Sequence, residues 1–218
     1  MKLSNETKEV LKNYSSINAN LLVAAGDTIS TMSQMKNIVS TSKLPDTFET
    51  DFAIYDLNEF LSALSLFKDP DLNFGEKSVK ISEGSQGIEY FYSDPSVVTT
   101  PKTSITMPDV DAEFVLTQSV FNQVMKASAV LGAPDMVLYC DGEKYFISVT
   151  DRKNTTSNSF KVEVGESEES HSLVECYFKV ENLKLLSGDY KVEVSSAGIS
   201  KFTNVNRDTE YFIALETA

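Results

Sequence analysis

The sequence predicts an α+β protein built as a tandem of two small domains. Three observations carry this. A pattern of short amphipathic helix, alternating strands, second short helix and more strands occupies residues 1 to about 94 and returns from about 112 to the end. Val10, Leu11, Lys12, Ile17, Leu22 and Val23 find counterparts 114 positions later in Val124, Met125, Lys126, Leu131, Met136 and Val137. Tyr55, Leu57 and Phe60 answer to Phe178, Val180 and Leu183, at an offset of 123. The nine extra residues of the second half are expected either around Arg152 to Ser157 or in the acidic loop near His171. With 218 residues, 41% of them apolar, each half has enough material for a core. The domains are expected at 1–108, including a linker at 95–108, and at 109–218.

In the first half, Ser4 is the N-cap of a helix over 4–16, with Glu6 in its first turn and Val10, Leu11 and Tyr14 at helical spacing. Residues 21–25, 28–32 and 36–42 read as three strands of a meander. Asp51 to Phe67 is a strand-to-helix junction: Asp56 caps a helix over 56–67, Glu59 follows as in a capping box, and Leu57, Phe60, Leu61 and Leu64 make the apolar stripe. The Asp69-Pro70-Asp71 turn ends it, and three short strands follow up to Ser93. Pro95, Pro101 and Pro108 mark the linker. In the second half, Thr117 caps a helix over 117–130 that Gly132 and Pro134 stop. Strands flank the Asp141-Gly142 turn, and Phe160, Val162 and Val164 alternate with Lys161 and Glu163 in a half-exposed strand. A further strand leads into a fourth helix over 179–186, and three strands finish the chain.

The net charge is −13, which by itself argues against a nucleic-acid partner. Its distribution changes that reading. The four predicted helices carry Glu6, Glu9, Asp56, Glu59 and Glu181 against Lys8, Lys12, Lys126, Lys179 and Lys184, and are therefore neutral. The excess acid lies in strands and loops, including Glu163, Glu166, Glu168 and Glu169, where it also serves solubility. No apolar run reaches the roughly 20 residues of a membrane span and the N-terminus reads as a polar helix start, so a cytoplasmic protein with no membrane partner is expected. Cys140 and Cys176 sit in strand-like apolar runs as reduced structural thiols. His171, the only histidine, lies in a polar run with no nucleophile or orienting partner in view. Phosphate-loop, dinucleotide and zinc motifs are absent, and the carboxylates lack calcium-loop spacing. These features point away from an enzyme, a metal site or a cofactor.

The opening MKLSNETKEVLKNYSSINANLL, the junction DFAIYDLNEFLSALSLF, and the closing GDYKVEV and YFIALE resemble the DNA polymerase sliding clamps of T-even-type bacteriophages, which share the fold of the proliferating cell nuclear antigen. The Tyr55 to Leu66 string is the most specific part; Thr31 to Thr50 and Arg152 to His171 match in no letters. The resemblance implies a ring-shaped homotrimer of two-domain subunits that encircles duplex DNA and tethers the polymerase in the infected bacterial cytoplasm, at the replication fork. An ATP-driven clamp loader would open the ring. Helices would line the hole, with Lys8, Lys12, Lys126 and Lys184, and more weakly Lys68, as non-specific phosphate contacts; each also reads as part of an ordinary solvated helix face. Strand edges would join the subunits through Ile88, Tyr90 and Tyr92 on one side and Phe160 and Val162 on the other, with either face of the first strand open. Partner peptides would dock on Val97, Val98, Met107, Pro108, Ile213 and Leu215, residues that equally suit the second domain's core. The alternative from a different class is a β-rich virion or surface interaction protein that binds no DNA.

Overall fold

The computed structural model describes residues 1–167 and 175–217. Glu168, Glu169 and His171 lie outside the described residues. The chain divides into two compact units, Met1–Thr103 and Ser104–Ala218.

The first unit runs α1 (Asn5–Ile17), β1 (Leu21–Val23), β2 (Gly26–Met32), β3 (Ile38–Phe48), β4 (Phe52–Ile54), α2 (Leu57–Ser65), β5 (Asp71–Phe74), β6 (Ser78–Glu83) and β7 (Gln86–Phe91). Ser4 caps α1 by accepting the Thr7 N–H at 3.1 Å, and Asp46 accepts the Ser4 N–H at 2.7 Å. Burial pushes the Asp46 carboxyl up, but hydrogen bonds from Thr7 and Ser4 and the Lys8 charge leave it below the ordinary carboxylate value. The predicted stripe of α1 is buried, and Tyr14, fully enclosed, donates its hydroxyl to Ser42 at 2.9 Å. Asp56 caps α2 through the N–H groups of Asn58 and Glu59, at 3.0 and 3.1 Å. Sheet β5-β6-β7 is antiparallel, and Phe48, Phe52, Phe74 and Tyr92 form a ring cluster beside it.

The predicted meander of the first three strands is corrected. β2 pairs with β3, but β1 pairs with β4, Leu22 facing Ala53. The turn between β1 and β2 explains the break: Asp51 holds the Ala25 N–H at 2.7 Å, and Gly26 takes a φ of 127° that only glycine adopts cheaply.

The second unit runs β8 (Ala112–Leu116), α3 (Gln118–Leu131), β9 (Asp135–Cys140), β10 (Lys144–Thr150), β11 (Phe160–Glu166), β12 (Cys176–Lys179), β13 (Tyr190–Ser195), β14 (Ile199–Asn204) and β15 (Thr209–Ala214). One sheet has the order β11-β10-β9-β12, and the other contains β15-β14-β13-β8 in sequence, all antiparallel. The short β8 was not expected from its sequence, which carries only five residues of alternating burial. Thr117 caps α3 and Gly132, at a φ of 64°, closes it.

The fourth predicted helix is also corrected. Its residues 179–186 form only a 3₁₀ turn over Val180–Asn182. Capping separates it from α2: Asp56 satisfies two orphan N–H groups, whereas the residue before the turn, Lys179, has no acceptor to offer and makes no capping bond. Eight of the nine extra residues of the second domain fall in two places. From the start of β10 to that of β11 is 16 residues, against 12 from β2 to β3, which is the loop around Arg152. From β9 to β10 is 9 residues, against 5 from β1 to β2, an extension the sequence did not single out.

Candidate functional site

In the first unit α1 packs beside α2, because Val10, Leu11, Tyr14 and Ile17 on one helix and Leu57, Phe60 and Leu64 on the other are buried in one core. Their outer faces leave an open groove of about 670 Å³ lined by Lys8, Lys12, Asn58, Leu61 and Lys68, with Ser15, Ser16, Ser62 and Ser65 between. Among the described residues no carboxylate lines it, in a chain with 32 acids and 19 bases. The serine hydroxyls donate to their own helices: Ser15 to the Lys12 carbonyl at 2.9 Å, Ser62 to that of Asn58 and Ser65 to that of Ser62, both at 2.7 Å. The groove therefore offers three ammonium groups among internally satisfied serines and the apolar side chains of Leu61, Leu64 and Phe67.

Lys126 and Lys184 are not brought together. Lys126 borders a groove of about 420 Å³ between α3 and the start of β11, lined also by Gln123, Ala127, Val130, Leu131, Ser159 and Phe160. Lys184 borders one of about 490 Å³ beside the 3₁₀ turn, with Glu181 and with Lys179, whose ammonium is taken by Asp135. With the observed helical turns in place of the predicted ones, Glu6, Glu9, Glu59 and Glu181 stand against Lys8, Lys12 and Lys126, so the helices stay close to neutral.

β7 and β11 are each the outermost strand of their sheet among the described residues. On β7, Tyr90 turns toward α2: its hydroxyl donates to the Asp56 carbonyl at 3.2 Å and its ring meets Phe60 edge-on at 5.2 Å. Burial, aided by the Glu59 and Asp56 charges, pushes the Tyr90 phenol up to about 12. Ile88, Tyr90 and Tyr92 are half-buried, while Phe91 on the opposite face is exposed. On β11, Phe160 and Val162 are half-buried, opposite Val149 and Ile147 of β10. The sequence pointed to neither Val130, which is 75% exposed, nor Leu131. Both end α3 beside Phe160. A run of apolar residues past the amphipathic stripe of a capped helix was the available signal.

Val97 is exposed in a 3₁₀ turn over Pro95–Val97 and Val98 is half-buried, both in the first unit. In the second, Met107 and Leu215 are half-buried and Pro108 is exposed. Ile213 is fully buried in β15, where three successive residues, Tyr211 to Ile213, are enclosed, so it is withdrawn from the peptide-docking set. Burial, with the nearby Asp111 charge, pushes the Cys176 thiol up to about 11, as suits a structural thiol. Among the described residues there is no cluster of three His, Cys, Asp or Glu side chains able to hold a metal, and no helix is long and apolar enough to cross a membrane.

Two protein families match the chain. Residues 4–99 match the DNA polymerase processivity factor family, and residues 113–217 match the family described as gp45 sliding clamp, C terminal. The sliding clamp of Vibrio phage KVP40 is 36% identical over 222 residues, covering 99% of both chains. That of Enterobacteria phage T4 is 26% identical, over 99% of this chain and 97% of the relative. Among solved structures, the A. fulgidus PCNA with the C-terminal region of FEN-1 bound superposes with a TM-score of 0.76 at 13% identity, covering 100% and 98% of the two chains. The proliferating cell nuclear antigen of Entamoeba histolytica gives 0.70 at 14% identity, covering 99% and 98%.

Proposed function

Because the chain belongs to the sliding clamp family, the DNA polymerase processivity factors of T4-like phages, we propose that three copies close head to tail into a ring around duplex DNA and tether the polymerase. The observation that carries the ring is the pair of dissimilar outer strands on one chain. β7 of one copy and β11 of the next would pair edge to edge, satisfying two rows of backbone N–H and C=O groups. Ile88, Tyr90 and Tyr92 would meet Phe160 and Val162 on the helix side of that sheet, with Val130 and Leu131 closing over the joint. A head-to-tail contact of this kind generates a closed ring only where the rotation per subunit is a whole fraction of a turn; two similar domains in each of three subunits give near six-fold symmetry.

The helix faces with Lys8, Lys12, Lys68, Lys126 and Lys184 would meet the DNA backbone through screened, non-specific contacts. Topology, not affinity, would hold the ring on DNA. The family is one of accessory proteins, and we assign this chain no reaction of its own, no cofactor and no metal; an ATP-driven loader would open the ring. Val97, Val98, Met107, Pro108 and Leu215 remain the proposed docking residues for partner peptides. The place of action would be the replication fork in the cytoplasm of an infected bacterium. A β-rich virion protein that binds no DNA is not favoured, since the processivity-factor and clamp families together match nearly the whole chain.

Light scattering combined with a primer-extension assay tests the reading. The expected mass is near three times 24.1 kDa, with polymerase stimulation that requires loader, ATP and primed template. A monodisperse monomer that never stimulates synthesis would refute it.

A further inference from the structure

We propose that the sheet β11-β10-β9-β12 of the second domain binds single-stranded DNA on the face turned away from its core, by stacking on Phe146, Tyr139 and Tyr177 and by phosphate contact from Lys161 and Arg152. The site is separate from the helix faces assigned to duplex DNA, and only the choice of DNA over RNA rests on the clamp reading.

Strand alternation puts the rings there. On β10, Tyr145, Ile147 and Val149 are buried in the core, so Phe146, Ser148 and Thr150 point to the other face, where they are half-buried. Tyr139 of β9 stands in register with Phe146, and Tyr177 of β12 with Val137, two residues before Tyr139 on the same side. The Phe146 and Tyr139 rings are stacked, with centroids 5.6 Å apart and planes at 21°. That spacing exceeds the roughly 3.4 Å step along a strand of duplex DNA, so it suits bases splayed out of a stack. An open antiparallel sheet with aromatic rings on its solvent face holds unpaired bases whatever their sequence, because every base has a π-face.

Cations flank the rings. The Arg152 guanidinium lies 3.4 Å from the centroid of the Tyr177 ring, and the Lys161 ammonium 4.6 Å from that of Phe146. Lys144, Lys161, Lys179 and Arg152 share this face with Asp135, Glu163, Glu166 and Glu175, so it is neutral in a chain of net charge −13. Most of that charge is already engaged. Lys144 pairs with Glu163 and is drawn to Glu166, Lys179 pairs with Asp135, and Glu175 accepts the Tyr177 hydroxyl. Among the described residues Lys161 and Arg152 make no ion pair, and Arg152 spends one N–H on the Thr217 carbonyl at 3.3 Å, which leaves both cations for phosphate oxygens. An open groove of about 510 Å³ runs beside Tyr139 and Tyr177, with Val137 beneath and Arg152 and Glu175 on its walls. The hydroxyls of Ser148, Thr150 and Ser159 also line it and offer hydrogen bonds to base edges or sugar.

The test is fluorescence anisotropy of the full-length protein with a labelled oligothymidine of about 12 nucleotides, beside an abasic strand of the same length and charge, across a salt series. Stacking predicts that the oligothymidine binds at least about fivefold more tightly than the abasic strand. Tyr139→Leu and Phe146→Leu keep apolar cover on the sheet and should each weaken oligothymidine binding at least about fivefold, with melting temperature unchanged. Phe91→Leu, which removes a lone ring 67% exposed in the first domain, should leave binding as it is. K161Q, an exposed substitution that spares the fold, should flatten the slope of log K against log salt by about 0.7. Equal binding of the abasic strand, binding indifferent to Y139L and F146L, or no binding at about 100 μM protein overturns the proposal, and an unchanged slope in K161Q overturns the role of Lys161. These measurements need no loader, primed template or closed ring. A monomeric protein that never stimulates synthesis would therefore sink the clamp reading without touching this one.

Discussion

Replacing Asp135 by Ala should destabilise the second domain by about 2–3 kcal/mol. Asp135 opens β9 with its side chain only 2% exposed, accepts the Lys179 ammonium from the end of β12, and accepts the Arg152 N–H at 3.1 Å from the loop after β10. It thus ties three segments together. Burial pushes its carboxyl up, but the Lys179 and Arg152 hydrogen bonds and both cationic charges outweigh that and leave it below its ordinary value of 3.8. Breaking a fully buried pair costs about 3–5 kcal/mol, and each hydrogen bond to a charged group is worth about 1.5–3. The Lys179 side chain is 28% exposed and can recover water, which sets the expectation at the lower end. In a unit of 115 residues this lowers the melting temperature by about 10 °C. Because the folded value is depressed, the stabilisation is complete above the ordinary carboxyl range and is lost as pH falls through the folded value. Urea midpoints should therefore separate wild type and variant fully at neutral pH and converge well below pH 3.8. A difference under about 0.5 kcal/mol at neutral pH, the ordinary range of surface substitutions, or one that widens on acidification, would refute the reasoning.

Gly188→Ala should cost at least about 2 kcal/mol in the same assay, because Gly188 has a φ of 143° and an added Cβ would lie 2.6 Å from the Asn204 side-chain amide. Asp56→Ala removes the acceptor of two N–H groups and should raise amide exchange in the first turn of α2, with a loss of about 1 kcal/mol. Val130→Asp would bury a carboxylate in the proposed joint beside Phe160 and should raise the trimer dissociation constant at least about 100-fold in sedimentation, leaving the monomer's melting unchanged. With a net charge of −13 per chain, the ring should tighten as salt rises from very low levels, since screening relieves self-repulsion; dissociation on adding salt would show instead that ion pairs dominate the joint.

Local chemistry made much of the fold legible. Ser4, Asp56 and Thr117 are caps by side-chain type and spacing, and each performs that role. The stripes of α1, α2 and α3 follow from helical periodicity, and the twin domain pattern from matching those stripes. The misses have separate physical causes. β8 is too short to show alternation over noise, β1 leaves β2 for β4 because of a partner 31 residues away, and the fourth helix fails because propensity without a cap does not sustain a turn in water. In the candidate site, Lys8, Lys12 and Lys68 were each legible as exposed cations on or after helices. Glu83, in contrast, reads as one more acid at a strand end, and the bonds its carboxylate accepts from the Lys68 and Asp69 N–H groups appear only in the structure.

The sequence by itself determined the family, the two-domain plan, the near-neutral helices in an acidic chain and the caps that start them, because these depend on residue type and near-neighbour spacing. The tertiary structure alone decided which lysines share a groove, which strands are left at an edge and which apolar residue, Ile213, is closed away from any partner. The physical reason is that charge and periodicity act over a few residues along the chain. Convergence and burial depend on segments brought together by packing, as when a carboxylate on β6 fixes the turn after α2.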